Sequence, residues 1–379
     1  MEKLNIWMVI SVRYRVFDQS GKLPFSIVFG LCRRSPDDTD PRSLRLSARQ
    51  TILDVPYALS NNLLQLRKYS ATTKTDIQVD VGQLGLSNSE ESYLTLPSPV
   101  GRTENWRTCL SEYYYHIDPE SELASLLEPG EKYSIKNFTG WQLGADKYAY
   151  IDEQGELSSP SKKQKLVSSR VHGRPTFHVV ESLPWPPELQ TRMHKDKDTN
   201  GNSMLVDVTV LNMGSKAITV QTHGRQRFLT PHGALQQDEE FPINDGRPRI
   251  IDPDRPSPDA TIQILDVCTN KVIRGAKKRS GYVQYHQKDL RPTLDLLTTL
   301  RPGEPLIRHI DVGNLLSNLP DGEYGLRMEP RGMWWCIGDC KEWDEDRVPH
   351  DLFSTLIPPL MLKCDDVVRV QVENGDVLQ

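Results

Sequence analysis

The amino-acid sequence predicts an all-β protein built as two related immunoglobulin-like β-sandwiches in tandem. Three observations lead there. Apolar and polar residues alternate in short runs, which puts successive side chains on opposite faces of a strand. The 27 prolines and 24 glycines among 379 residues supply many turns and leave little room for long helices. One short pattern is written twice, as "LLEPGEKYSI" at 126–135 and "TLRPGEPLIR" at 299–308.

The elements follow in chain order. "MEKLNIWMVISVRYRVF" reads as a first strand rather than a signal sequence: its apolar stretch is short, holds Asn5, and runs into Arg13 and Arg15 without a small-residue cleavage site. "FSIVFGL" (25–31), "IQVDV" (77–81), "SYLTL" (92–96) and "YYYHI" (113–117) read as half-buried strands. "DPESELASLL" (118–127) has early acidic residues and Leu123, Leu126 and Leu127 on one face, as a short helix would. "SPSKKQKLVSS" (159–169) reads as a polar, basic loop. In "MLVDVTVLNMGSKAITVQ" (204–221), Val206, Val208 and Val210 point one way, Asn212-Met213-Gly214 turns, and Ile218 and Val220 resume, giving strand, turn and strand. "TIQILDV" (261–267) and "DVVRVQVE" (366–373) continue the alternation, and "DVGNLLSNL" (311–319) is a second short helical candidate.

The repeated pattern supplies the internal symmetry. Leu127-Glu128-Pro129-Gly130-Glu131 aligns with Leu300-Arg301-Pro302-Gly303-Glu304, and each is followed by a strand, a loop and a Tyr-bearing strand (Tyr148 and Tyr150; Tyr324). "FSIVFGL" then falls opposite "MLVDVTV", and "FHVVE" (177–181) opposite "VRVQVE" (368–373), as a duplication would leave them. Pro fixes φ at the first corner of a tight turn and Gly accepts positive φ at the second, so the pair is architectural, able to pass a strand to the opposite sheet. The stiff "SLPWPPELQ" (182–190) separates the copies, giving modules 1–182 and 183–379.

Bulk chemistry limits the function. A net charge of −5 provides no basic field for nucleic acid, and neither half is a polybasic module. No window reaches the apolar length of a membrane span. Six cysteines in a chain of this length are not a disulfide framework, so thiols in a reducing, cytoplasmic setting are expected, with secretion as the alternative.

The second half carries a resemblance. "LVDVTVLNMGSKAITV", "TTLRPGEPL" and "DVGNLLSNLPDGEYGLRM", spanning roughly 204–328, resemble the small immunoglobulin-like sandwich in the pro-region of fungal deuterolysin-type zinc peptidases. None of the nine histidines lies in His-Glu-x-x-His, so the family's catalytic residues have no counterpart and its activity does not carry over. The whole chain also looks like uncharacterised fungal tandem β-sandwich proteins, which implies a fold and no activity.

Four stretches hold candidate chemistry. In "DKDTNGNSMLVD" (196–207), Asp196, Asp198, Asn200 and Gly201 match a calcium loop, with Asp207 at the twelfth position; Asp207 is shorter than the usual Glu, Ser203 stands where an apolar residue is normal, and a strand follows instead of a helix. A polar loop entering a strand accounts for the same residues. In "WWCIGDCKEWDEDRVPHD" (334–351), Cys336, Cys340 and His350 offer an incomplete zinc pattern, with Cys364 an irregular fourth; unpaired thiols are the expected reading, with a metal or a Cys336–Cys340 disulfide as alternatives. Trp334, Trp335 and Trp343 are the candidate contact surface, because adjacent Trp334 and Trp335 must face opposite sides of any strand, so that one can be core while the other is at the surface; core plus lid is the alternative, and the one a buried aromatic pair favours. His223 and His232, with Arg225 and Arg227, suit an anion, a metal or a solvated turn.

No Gly-x-Ser-x-Gly elbow, phosphate loop or dinucleotide fingerprint occurs. The expected function is a non-catalytic binding or scaffold protein without a cofactor, meeting a protein or small molecule. The alternative is a motif-less enzyme of fungal secondary metabolism, of cyclase or isomerase type, with a pocket between the two sandwiches.

Overall fold

A computed structural model describes residues 3–33, 40–70, 73–84, 92–101, 109–137, 142–143, 145–159, 165–196, 204–231, 249–252, 261–275, 288–373 and 376–378. Strands dominate throughout, and the fold is all-β. The chain divides into two compact units, the first taking in Met1–Leu183 and the second beginning at Pro184.

In the first unit the chain runs β1 (Lys3–Val12), β2 (Val16–Asp18), β3 (Phe25–Arg33), β4 (Ser43–Ser47), α1 (Val55–Ser60), β5 (Leu64–Ser70), β6 (Thr75–Gln78), β7 (Tyr93–Leu96), β8 (Ser111–Ile117), α2 (Glu122–Ser125), β9 (Lys132–Asn137), β10 (Gln142–Leu143), β11 (Tyr148–Ile151), β12 (Leu157–Ser158), β13 (Lys165–His172) and β14 (Thr176–Val180). Three sheets form, in the orders β10-β13-β1-β3-β8, β12-β11-β4-β7 and β2-β14-β9-β5-β6. They enclose one core, to which Phe29 of β3, Leu46 of β4 and Tyr133 of β9 each contribute a buried side chain.

Several local expectations change. β3 is buried on both faces along its whole length, where alternation predicted a half-buried strand. It lies mid-sheet between β1 and β8, with Phe25, Ile27, Phe29 and Leu31 in the core and Gly30 closed over by Leu110 on the opposite side. The second half of the expected basic loop is strand β13, which pairs in parallel with β1. α1 is a helix that hydrophobic alternation does not predict. Its signals are local: Asp54 caps the Tyr57 amide and Pro56 sits in the first turn.

In the second unit the order is β15 (Leu189–Lys195), β16 (Leu205–Asn212), β17 (Ile218–Gln221), β18 (Ile262–Asp266), β19 (Lys271–Arg274), β20 (Leu297–Leu300), β21 (Leu306–Asp311), α3 (Gly313–Leu316), β22 (Gly322–Met328), β23 (Arg331–Met333), β24 (Trp335–Ile337), β25 (Leu360–Leu362), β26 (Val367–Glu373) and β27 (Asp376–Leu378). The sheets are β15-β16-β21, β20-β17-β24, β19-β18-β22-β26-β27 and the pair β23-β25. Val206, Val220, Leu326 and Leu362, one from each sheet, meet in a common core. Tyr324 adds an immunoglobulin-like detail. Near the start of β22, its hydroxyl donates back to the Pro320 carbonyl at 2.7 Å, the bond of a tyrosine corner.

The Asn212 turn does not make a hairpin. β16 and β17 belong to different sheets, and the turn carries the chain between them. Asn212, 2% exposed, holds the crossing. Its Nδ2 donates to the carbonyls of Lys216 (2.9 Å) and Leu300 (3.0 Å), and its Oδ1 accepts the Gly214 amide (2.9 Å).

Both Pro-Gly pairs form the expected turn. Gly130 has φ +83° and Gly303 φ +71°, and Glu131 and Glu304 donate back to the carbonyls of Glu128 and Arg301. Their settings differ. The first links α2 to β9, and the Gly130 amide bonds Val179 of β14. The second passes the chain from the β20 sheet to the β21 sheet, and the Gly303 amide bonds Asn212 of β16. β9 pairs with β14 and β5, whereas among the described residues β21 pairs only with β16, so the strand equivalences drawn from the alignment do not hold. The Pro-Gly signal is a local turn signal, and it specifies the same turn in two unlike settings.

Candidate functional site

Among the described residues, the sheet β15-β16-β21 gathers a group of His and Asp side chains able to hold a metal ion. Its antiparallel register puts His194 opposite Asp207 and Asp207 opposite His309. Directly opposed residues hold their Cβ atoms about 4.5–5.5 Å apart, so three adjacent strands present these side chains as one row. Parity decides which face they take. Met193, Val206, Val208 and Ile310 are buried in the core, so their sequence neighbours His194, Asp207 and His309 point outward.

His309 Nδ1 donates to Asp207 Oδ1 at 2.6 Å. His194 Nε2 lies 3.6 Å from Asp207 Oδ2 on the other side. Asp196 follows β15, tied by its amide to the Leu205 carbonyl, and its Oδ2 lies 3.8 Å from His309 Nδ1. The carboxylates of Asp207 and Asp196 are largely enclosed, with 14% and 16% of their side chains exposed, while His194 and His309 are open at 58% and 63%. Asp196, Asp207 and His309 each offer one ligand atom within 4.8 Å of the others. The adjacent row on this face is Arg192, Thr209 and half-exposed Ile307. Chemically, the arrangement can share protons, form charge-assisted hydrogen bonds or coordinate a cation.

The structure therefore brings together two members of the expected calcium set, Asp196 and Asp207. Asp198 and Asn200, with Gly201 and Ser203, lie outside the described residues. His309 was not legible as a partner. Its parity opposite Ile310 places it on a polar face, but only strand pairing sets it beside Asp207.

The expected tryptophan contact surface is corrected. Trp334 is 0% exposed and Trp335 2%, and only Trp343 is partly open. Adjacent side chains face opposite ways only in a continuous strand, and here the strand breaks at Trp334. β23 pairs with β25, β24 pairs with β17, and the bend between them turns both indoles inward. Each indole N–H is satisfied, Trp334 by the Ser354 carbonyl (2.8 Å) and Trp335 by the Pro358 carbonyl (2.9 Å).

None of the six cysteines is in a disulfide. Burial pushes the Cys336 thiol up to about 12, with Cys340 adding to it. That opposes the thiolate a metal requires. The Cys340 sulfur instead lies 3.2 Å from the Thr299 hydroxyl, and His350 is exposed. His223 Nδ1 lies 3.0 Å from Asp252 Oδ2 in a mostly buried pair, and His232 lies outside the described residues. A void of about 10 Å³ in the first unit, lined by Ile27, Leu66, Phe177 and other apolar side chains, is at the lower limit for one water and carries no polar group.

No protein-family description matches this chain, and no curated protein matches it. The deuterolysin-type resemblance is carried by neither comparison. Among solved structures, a partial N-terminal region of an enterococcal surface protein is similar at 7% identity, covering 89% of this chain and 90% of that one, with a TM-score of 0.15. No helix among the described residues is long and apolar enough to cross a membrane.

Proposed function

We propose that this is a non-catalytic binding protein whose contact face is the outward side of β15-β16-β21. The observation that carries the reading is the row His194–Asp207–His309, held on an open, three-stranded sheet and flanked by half-exposed Ile307. Groups set for binding need rigid placement and access, and a sheet with one face in the core supplies both. Imidazoles and carboxylates beside an exposed apolar side chain suit a protein partner with mixed polar and apolar contacts.

The test is affinity capture with the full-length chain from the cells that make it, compared with a variant carrying Ile307→Glu and His309→Ala. Both positions are at least half exposed, so the fold should persist. A partner retained by the wild type and lost by the variant, at equal melting temperature, is the expected result. Identical partners for both proteins, or turnover of a small molecule by the chain, overturns the reading.

A further inference from the structure

We propose that Asp196, Asp207 and His309, with His194 beside them, form a site for a divalent transition-metal ion of the zinc class. This deepens the reading of the same sheet face. The donor set decides the class of ion. Calcium takes six to eight oxygen ligands, and an imidazole nitrogen suits it poorly. Zinc accepts His nitrogen at about 2.0–2.1 Å and carboxylate oxygen at about 2.0–2.2 Å, in tetrahedral geometry. Such bonds set neighbouring ligand atoms roughly 3.3–3.6 Å apart.

Two separations sit close to that value, 3.8 Å from His309 Nδ1 to Asp196 Oδ2 and 3.6 Å from His194 Nε2 to Asp207 Oδ2, and the ligand atoms of Asp196, Asp207 and His309 all lie within 4.8 Å of one another. Only the 2.6 Å hydrogen bond between His309 and Asp207 is too short. Opening it by a little under 1 Å admits the ion, which takes the place of the proton on Nδ1, and that proton goes to solvent. His309 is 63% exposed and has room to swing by that amount, while the enclosed Asp207 is fixed on β16 and the enclosed Asp196 is tied just past β15 by its amide bond to the Leu205 carbonyl.

The competing account is a hydrogen-bonded His–Asp–His ladder that holds three strands in register and binds nothing. Calorimetric titration of the full-length chain, stripped with a chelator and dialysed, separates the two. The probes are Zn²⁺, with Ca²⁺ and Mg²⁺ alongside. One Zn²⁺ per chain is expected, without binding of Ca²⁺ or Mg²⁺ at the same concentrations. Asp207→Asn and His309→Ala each remove a ligand and should weaken Zn²⁺ binding by more than the roughly tenfold lost with an outer-shell partner, and His350→Ala, an exposed imidazole elsewhere, should not. If Asp207→Asn fails to fold, His309→Ala still decides, because its side chain is largely in solvent. Absence of Zn²⁺ binding, or binding unchanged by His309→Ala, overturns the site. Loss of the metal site with partner capture intact leaves the binding function standing, and the reverse result removes that function while keeping the metal.

Discussion

Trp334 and Trp335 are consecutive, and both indole N–H groups end on carbonyls of one later segment, Ser354 and Pro358. The pair fastens the loop before β25 over the core of the second unit. Trp334 also stacks at a tilt on Phe353, with ring centroids 5.6 Å apart. Trp334→Ala and Trp335→Ala should therefore each cost about 3–5 kcal/mol in urea unfolding. Trp343→Ala, at a partly open position, should cost less. A Trp335→Ala protein as stable as the wild type would contradict its burial.

Glycine substitutions should separate turn strain from collision. An added Cβ at Gly130 or Gly303 meets nothing within 4 Å, so alanine there pays only for positive φ. Each should lose roughly 1–2 kcal/mol, by similar amounts. Gly173 has φ +95° and would place a Cβ 2.3 Å from the Ile10 carbonyl oxygen. Gly173→Ala should be markedly worse than either, read as the shift in urea midpoint. Equal losses at all three positions would show that the β1 backbone yields to the methyl group.

Cysteine reactivity should follow exposure. Cys268 is exposed, whereas Cys336 is buried with its thiol raised from 9.0 to about 12. At neutral pH the native protein should alkylate at Cys268 well before Cys336, since the thiolate is the reactive form. Because the folded value is raised, the stabilisation is complete below the unfolded value and is lost as pH rises from about 9 toward 12. Peptide mapping after brief alkylation checks the order, and early labelling of Cys336 would mean that its cover opens readily.

Asp339 should govern part of the acid limb. Burial raises its carboxyl, but the Lys341 amide, the Thr299 hydroxyl and the Arg301 guanidinium together outweigh burial and hold it below the ordinary 3.8. Arg301 Nη2 lies 2.8 Å from Asp339 Oδ2. A depressed folded value means stability present above the unfolded value and lost as pH falls through the folded one. Asp339→Asn should thus lower stability at neutral pH and flatten the acid limb below about pH 4. Parallel acid limbs for the two proteins would remove Asp339 from that account.

The sequence by itself determined what depends on near neighbours along the chain. Alternation in "LVDVTV" made β16 a strand with Val206, Val208 and Val210 inward, and both Pro-Gly pairs predicted turns with positive φ at the glycine. Asp54 and Pro56 also carry a local signal for α1. Tertiary structure decided which strands pair and where a strand breaks. Pairing sent β16 and β17 to different sheets, made the contexts of the two Pro-Gly turns unlike, and turned two adjacent tryptophans to one side. It also set His309 against Asp207, residues far apart in the chain, on one open face. The physical reason is the same in each case. Side-chain parity is a property of a few consecutive peptide units, whereas a ladder partner is selected by burial and hydrogen bonding over the whole unit, and no short stretch of sequence encodes it.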